Sequence, residues 1–167
     1  MTAKGSYVLV VRLEQALEIQ VGKLGLHEFP RGYYLYFGSA LNGLDGRIQR
    51  HLRSGKSLRW HIDYLTSAAP VTEVWRIADD ARWECVWARF AVRQAGVSEP
   101  VRGFGSSDCR CNTHLVRLTS RRKVDGLRRL LRDDLKTNGE TNRKSGTEAR
   151  KRTLDILDIR GNGRTVL

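Results

Sequence analysis

Ser6–Leu13 alternates between apolar and other positions and is rich in Val, which predicts a strand. Leu17–Val21 follows after a short polar connection and predicts a second strand. Tyr33–Phe37 predicts a third, opened by the turn signal Pro30-Arg31-Gly32. Connections this short suit an antiparallel meander, because parallel neighbours need a long crossover. The period then lengthens. Leu44, Ile48 and Leu52 recur every four residues, marking one stripe of an amphipathic helix over Leu44–Arg53. Trp60–Ser67 predicts a second short helix, Val71–Ile77 alternates again, and Arg82–Gln94 reads as helical up to Gly96. Gly103–Cys111 is a Gly/Ser loop and His114–Leu118 a closing strand. The expected fold is α+β: a small, mainly antiparallel three-stranded central sheet flanked by helices, with no internal repeat.

Composition divides the chain. Residues 1–118 carry 16 Lys and Arg against 11 Asp and Glu, whereas residues 119–167 carry 14 against 7. All four Trp, five Tyr and four Phe lie in the first part, so the second has little with which to build a core. The expected organisation is a folded domain over 1–118 and a basic tail over 119–167. In the tail, Val124, Leu127, Leu130, Leu131 and Leu135 have helical spacing, suited to docking on the body or to settling on nucleic acid. Lys136–Arg152 is polar and charged and reads as unstructured.

The formal charge of +12 favours a polyanionic partner and says nothing about fold. The longest strongly apolar run, around Tyr7–Val11, falls far short of the roughly 20 residues a membrane span needs. No secretory signal is visible, and three cysteines argue against a disulfide framework. A reducing cytoplasm is therefore the expected compartment, and a membrane is not an expected partner.

Three elements offer polar groups that a plain core does not need. The first strand begins Gly5-Ser6-Tyr7, and the third ends Tyr36-Phe37-Gly38-Ser39. Tyr34 and Tyr36 share one face of that strand, opposite Tyr33, Leu35 and Phe37. On the following helix Arg47 and His51 are four apart, beside the apolar stripe, and project over the end of the sheet where the tyrosines lie.

"GSY", "YFGSA" and "LDGRIQRH" resemble the paired motifs and first helix of GIY-YIG nucleases. With "RWHIDYL", Glu84-Cys85 and "GFGSSDCRCNTHL", the resemblance narrows to the Uri-type endonuclease family and covers Gly5 to Leu118. It implies Tyr7, Tyr36, Arg47, His51 and Glu84 as catalytic residues, with Glu84 as the single protein ligand of Mg2+ or, in its place, Mn2+. Arg50, Arg53 and His61, with Arg121, Arg122 and Arg128 from the tail, are the expected nucleic-acid contacts. The partner is DNA, with RNA as a second possibility. Ser39 stands where a lysine often follows the second triplet, and Ser6 stands in place of Ile in the first.

The implied chemistry suits these residue types. Phosphodiester cleavage needs an activated water and charge relief on the phosphate oxygens. Arg47 suits bidentate phosphate contact. Tyr7 is the expected general base and Tyr36 the water- or phosphate-positioning group, provided that Arg47 and a metal lower the phenol pKa from about 10. His51 would orient or relay the proton. A rival of another class is a non-catalytic nucleic-acid-binding module of the same fold.

Cys109-x-Cys111-x-x-His114, with Cys85 as a fourth donor, has the ligand types of a tetrahedral zinc site. The spacing is not that of paired knuckles and Cys85 is remote in sequence. The preferred reading is buried thiols, with His114 and Asp108 bonded locally.

Overall fold

The computed structural model describes residues 3–141, 152–159 and 165–166. At its centre β1 (Gly5–Leu13) lies between β4 (Gly32–Ala40) and β5 (Val71–Ala78). The sheet continues through β6 (Leu115–Leu118) beyond β4 and β7 (Asp155–Asp158) beyond β5, with the two-residue β8 (Thr165–Val166) outermost. All neighbouring pairs are antiparallel. β2 (Leu17–Gln20) and β3 (Leu26–Phe29) form a separate hairpin. The helices are α1 (Leu44–Leu52), α2 (His61–Ala68), α3 (Glu84–Val92) and α4 (Arg121–Thr141).

The α+β class and the antiparallel pairing agree with the sequence reading, but the sheet is not three-stranded. The segment expected as the second strand turns away at Gly22–Leu24 and pairs with Leu26–Phe29 through Gly25, whose φ of 90° suits glycine. β4 therefore pairs with β1 across this excursion, while β5, β6 and β7 complete the main sheet.

Both faces of the sheet are covered, and alternation sorts the side chains between them. Tyr7, Leu9, Val11, Tyr34 and Tyr36 face α1 and α2, packing with Ile48, Ile62, Leu65 and Phe104. Val8, Val10, Leu35, Phe37 and Trp75 face α3 and α4, packing with Trp87, Val124, Leu127, Leu131 and Leu135. Leu154 and Ile156 join that second core. Segment 119–167 thus supplies apolar side chains to the body, each contributing roughly 1.5–3 kcal/mol on burial. Six spaced aliphatic residues do here what aromatics do elsewhere. α4 extends to Thr141, so Lys136–Thr141, expected as unstructured, is helical; residues 142–151 of that call lie outside the described residues.

Two glycines fix the site end of the sheet. A Cβ on Gly5 would lie 2.1 Å from the Ile77 carbonyl oxygen, and one on Gly38 would lie 2.4 Å from Tyr7 Cζ. Tyr7 sits directly across from Gly38, so its ring lies over bare backbone. Among the described residues, no helix is long and apolar enough to cross a membrane.

Candidate active site

Tyr7 of β1, Tyr36 of β4, Arg47 and His51 of α1, His61 of α2 and Glu84 of α3 line one cavity of about 290 Å³. The 103–114 loop closes another side with Gly105, Ser107, Asp108 and His114. The register explains the pairing of the tyrosines. Tyr36 is opposite Leu9 and Tyr7 opposite Gly38, which makes the two phenols diagonal neighbours with ring centroids 6.5 Å apart.

The Tyr7 hydroxyl lies 2.7 Å from His51 Nε2 in a buried hydrogen bond. Burial drives the His51 pKa down to about 4, against the opposing pull of Asp63, so the imidazole is neutral near pH 7. In the tautomer with the proton on Nδ1, which faces Asp63 Oδ1 at 3.7 Å, Nε2 accepts from the phenol. Burial raises both phenols above their usual pKa, Tyr7 well above it, even though the Arg47 charge pulls each down. Arg47 alone therefore does not lower either phenol: desolvation exceeds the effect of one guanidinium.

Asp63 is the organiser that sequence reasoning missed. It is fully buried, and its carboxylate accepts from Arg50 Nη1 and Nη2 at 2.9 and 3.0 Å. It also accepts from the backbone N–H groups of Arg59 and Trp60, at 2.8 and 2.9 Å, which caps α2. Burial pushes its pKa up, but these donors outweigh it and leave it lowered. His61 Nδ1 accepts the Gly105 N–H at 2.9 Å. Trp60 holds Arg47 and Arg50 over its ring, at 4.3 and 4.1 Å from the centroid. The only sequence signal for Asp63 was its place three residues after a helix boundary.

Glu84 opens α3 and is 2% exposed. Its Oε1 accepts from Arg82 Nε and Nη2, both at 2.7 Å. Its Oε2 is buried and has no hydrogen-bond partner among the described residues. A buried carboxylate oxygen with a free valence beside a polar cavity fits a hard divalent cation. Ser6 accepts the Trp83 N–H at 2.9 Å and so ties the start of α3 to β1. The departure of the first triplet from Ile thus anchors the helix that carries Glu84.

The remaining expected contacts are dispersed. Arg50 is committed to Asp63, and Arg53 is exposed at the end of α1. Arg121 pairs with Glu73 and with Asp125, and Arg128 lies 3.6 Å from Glu73, across the sheet from the cavity. Arg122 is exposed on the first turn of α4. Arg59 and Arg82, not singled out before, line the cavity.

Cys85, Cys109, Cys111 and His114 bring their donor atoms within 4.8 Å of one another, a group able to hold a metal ion. The preferred sequence reading, with His114 bonded locally to Asp108, gives way: His114 Nε2 faces Cys109 and Cys85 Sγ at 3.4 and 3.6 Å. The four donors were nameable from the sequence, but local spacing does not show that Cys85, on a different element, arrives beside the loop.

A family model described as "Domain of unknown function DUF123" matches residues 6–135. No curated protein and no solved structure matches the chain.

Proposed function

The chain belongs to the DUF123 family, and from that premise and the cavity we propose that it is a divalent-metal-dependent endonuclease of GIY-YIG type acting on DNA. The observation that carries this reading is the convergence of Tyr7, Tyr36, Arg47, His51 and Glu84, from four elements, on one cavity. The tyrosines, the guanidinium and the carboxylate are the residues that the resemblance implied.

Arg47, Arg59 and Arg82 give the cavity a cationic rim suited to a backbone phosphate. Trp60 stacks under Arg47 and limits its rotamers, and the guanidinium also hydrogen-bonds the Tyr7 side chain, so phosphate oxygens would share it with that phenol. Glu84 Oε2 would hold Mg2+ or Mn2+, which when bound relieves charge on the phosphate. The attacking water would pass a proton to Tyr7 Oη as the Tyr7 proton moves to His51 Nε2. The nascent imidazolium faces the ionised Asp63, which is held in place by Arg50. This path needs no free tyrosinate in the resting protein, which reconciles a general-base role with a raised phenol pKa. Tyr36 is placed to position the water or the phosphate.

The raised phenols also favour a second reading, a non-catalytic nucleic-acid-binding module. Incubation with labelled single-stranded, duplex and branched DNA and with RNA, in Mg2+, Mn2+ or chelator, separates the two. The nuclease reading expects scission that needs the metal and disappears in Glu84→Ala and Tyr7→Phe. Salt-sensitive binding without scission under every condition supports the module instead.

A further inference from the structure

We propose that Cys85, Cys109, Cys111 and His114 form a structural zinc site that pins the 103–114 loop to α3, on the wall of the cavity beside Glu84. The inference is independent of the nuclease reading, since it rests on four other side chains.

The donor set is soft: three thiols and one imidazole, with ligand atoms within 4.8 Å of one another. A tetrahedral zinc ion has Zn–S near 2.3 Å and Zn–N near 2.0–2.1 Å, which places sulfur and nitrogen about 3.6 Å apart. Cys85 Sγ and Cys109 Sγ lie 3.6 and 3.4 Å from His114 Nε2. Those separations are ordinary for hydrogen bonds to sulfur and equally right for two ligands sharing an ion. Four protein ligands leave no open position, the mark of a structural rather than a catalytic zinc. None of the three cysteines is in a disulfide.

The backbone pre-positions the donors. His114 donates its N–H to the Phe104 carbonyl at 2.8 Å and accepts from the Phe37 N–H at 2.9 Å, which fixes it beside β4. Cys85 is fixed by α3, directly after Glu84. Cys109 and Cys111 sit on the loop, whose Gly105 lies against Tyr36: a Cβ there would be 2.6 Å from Tyr36 Cε2. An ion joining loop to helix therefore fixes Gly105, Ser107 and Asp108 along the cavity wall. Mg2+ does not compete for this site, because it prefers oxygen donors.

The test uses the full chain, purified under reducing conditions without a polyhistidine tag. Plasma mass spectrometry should find about one zinc per chain, unchanged in Glu84→Gln and lost in Cys109→Ser/Cys111→Ser. Zinc displaced with a mercurial reagent and replaced by Co2+ should give sulfur-to-cobalt charge-transfer bands and the intense visible absorption of tetrahedral cobalt. That titration decides the matter even where the serine variant does not fold. Zinc removal should also speed tryptic cutting at Arg110, which is exposed on the loop. A reduced chain that holds no zinc and gives only weak octahedral cobalt absorption overturns the site. Full zinc in the double serine variant overturns the ligand assignment, and an unchanged cutting rate overturns the pinning.

Discussion

Glu73 and Glu84 are each 2% exposed, one on β5 beneath α4 and one at the start of α3 against the cavity, yet their surroundings differ in kind. Glu73 faces α4, where Arg121 engages Oε1 and the Trp75 indole donates to Oε2 at 2.9 Å. Glu84 faces the cavity with Oε1 held by Arg82 and Oε2 without a hydrogen-bond partner among the described residues. The α4 side spends its buried charge on packing a helix, and the cavity side leaves a valence over. Burial of a carboxylate therefore does not mark a functional site; an unfilled acceptor facing a polar cavity does.

Exchanging the two glutamates for alanine breaks or upholds that contrast. Glu84→Ala should lower cutting by on the order of 10³-fold, about 4 kcal/mol of barrier, with little change in the denaturation midpoint. Glu73→Ala should do the opposite, costing about 3 kcal/mol of stability because it leaves Arg121 and Arg128 facing an emptied position. Cutting by its folded fraction should persist. Cleavage rates beside urea titrations of the two variants check both statements, and a stability loss confined to Glu84→Ala would invert the assignment.

The glycine beneath Tyr7 offers a test within the cavity face. Gly38→Ala places a methyl 2.4 Å from the Tyr7 ring, against a phenol that is itself fully packed. The ring must shift or the strand must bend, at a cost of roughly 1–3 kcal/mol. The Tyr7–His51 hydrogen bond should be lost with it, so cutting should fall further than stability does. Thermal melts with cleavage assays read the two effects separately.

His51 ties this face to pH. Its folded pKa of about 4 lies below the ordinary 6.5, so the unfolded chain binds the proton more readily. Its contribution is complete above about pH 6.5 and is lost as pH falls toward 4. Two and a half units correspond to a ceiling of about 3 kcal/mol. His51→Gln should flatten the stability profile between pH 6.5 and 4 while leaving the steeper acid loss below it, where Asp63 and Asp79, both lowered, take up protons. Urea titrations across that range in both proteins measure the difference.

What the sequence made legible follows the same division. Period-2 alternation placed Tyr34 and Tyr36 on one face of their strand, and i, i+4 spacing placed Arg47 and His51 together over the end of the sheet, but Tyr7, Tyr36 and Glu84 were joined to them only by the resemblance. Asp63 could not be joined to them, because its partner Arg50 is 13 residues away and its charge is hidden within a helix start. The metal-binding cluster needed Cys85 beside His114, 29 residues on, a proximity created only by the sheet. The fold was legible in class but not in strand count. β7 carries few apolar residues in a charged stretch, and Leu26-His27-Glu28-Phe29 lacks clear alternation. Arg121 and Arg128 looked like free cations because Glu73 lies 48 or more positions earlier.

That last point recasts the role of the tail in binding. Deleting 119–167 would remove Val124, Leu127, Leu131 and Leu135 from the core, so loss of binding in such a truncation would report unfolding rather than lost contacts. Single charge removals are the sharper probe. Arg59 lines the cavity, whereas Arg122 is exposed at the start of α4. If DNA lies along the cavity face, Arg59→Ala should reduce the slope of log K against log salt by about 0.9, one phosphate contact. Arg122→Ala should reduce it by less, because Arg122 does not line the cavity that holds Glu84. Fluorescence anisotropy with labelled DNA at several salt concentrations, in chelator to suppress cutting, resolves a difference of that size. Equal reductions from the two substitutions would show that nucleic acid contacts both sides of the molecule, and that leftover valence locates the chemistry without bounding the interface.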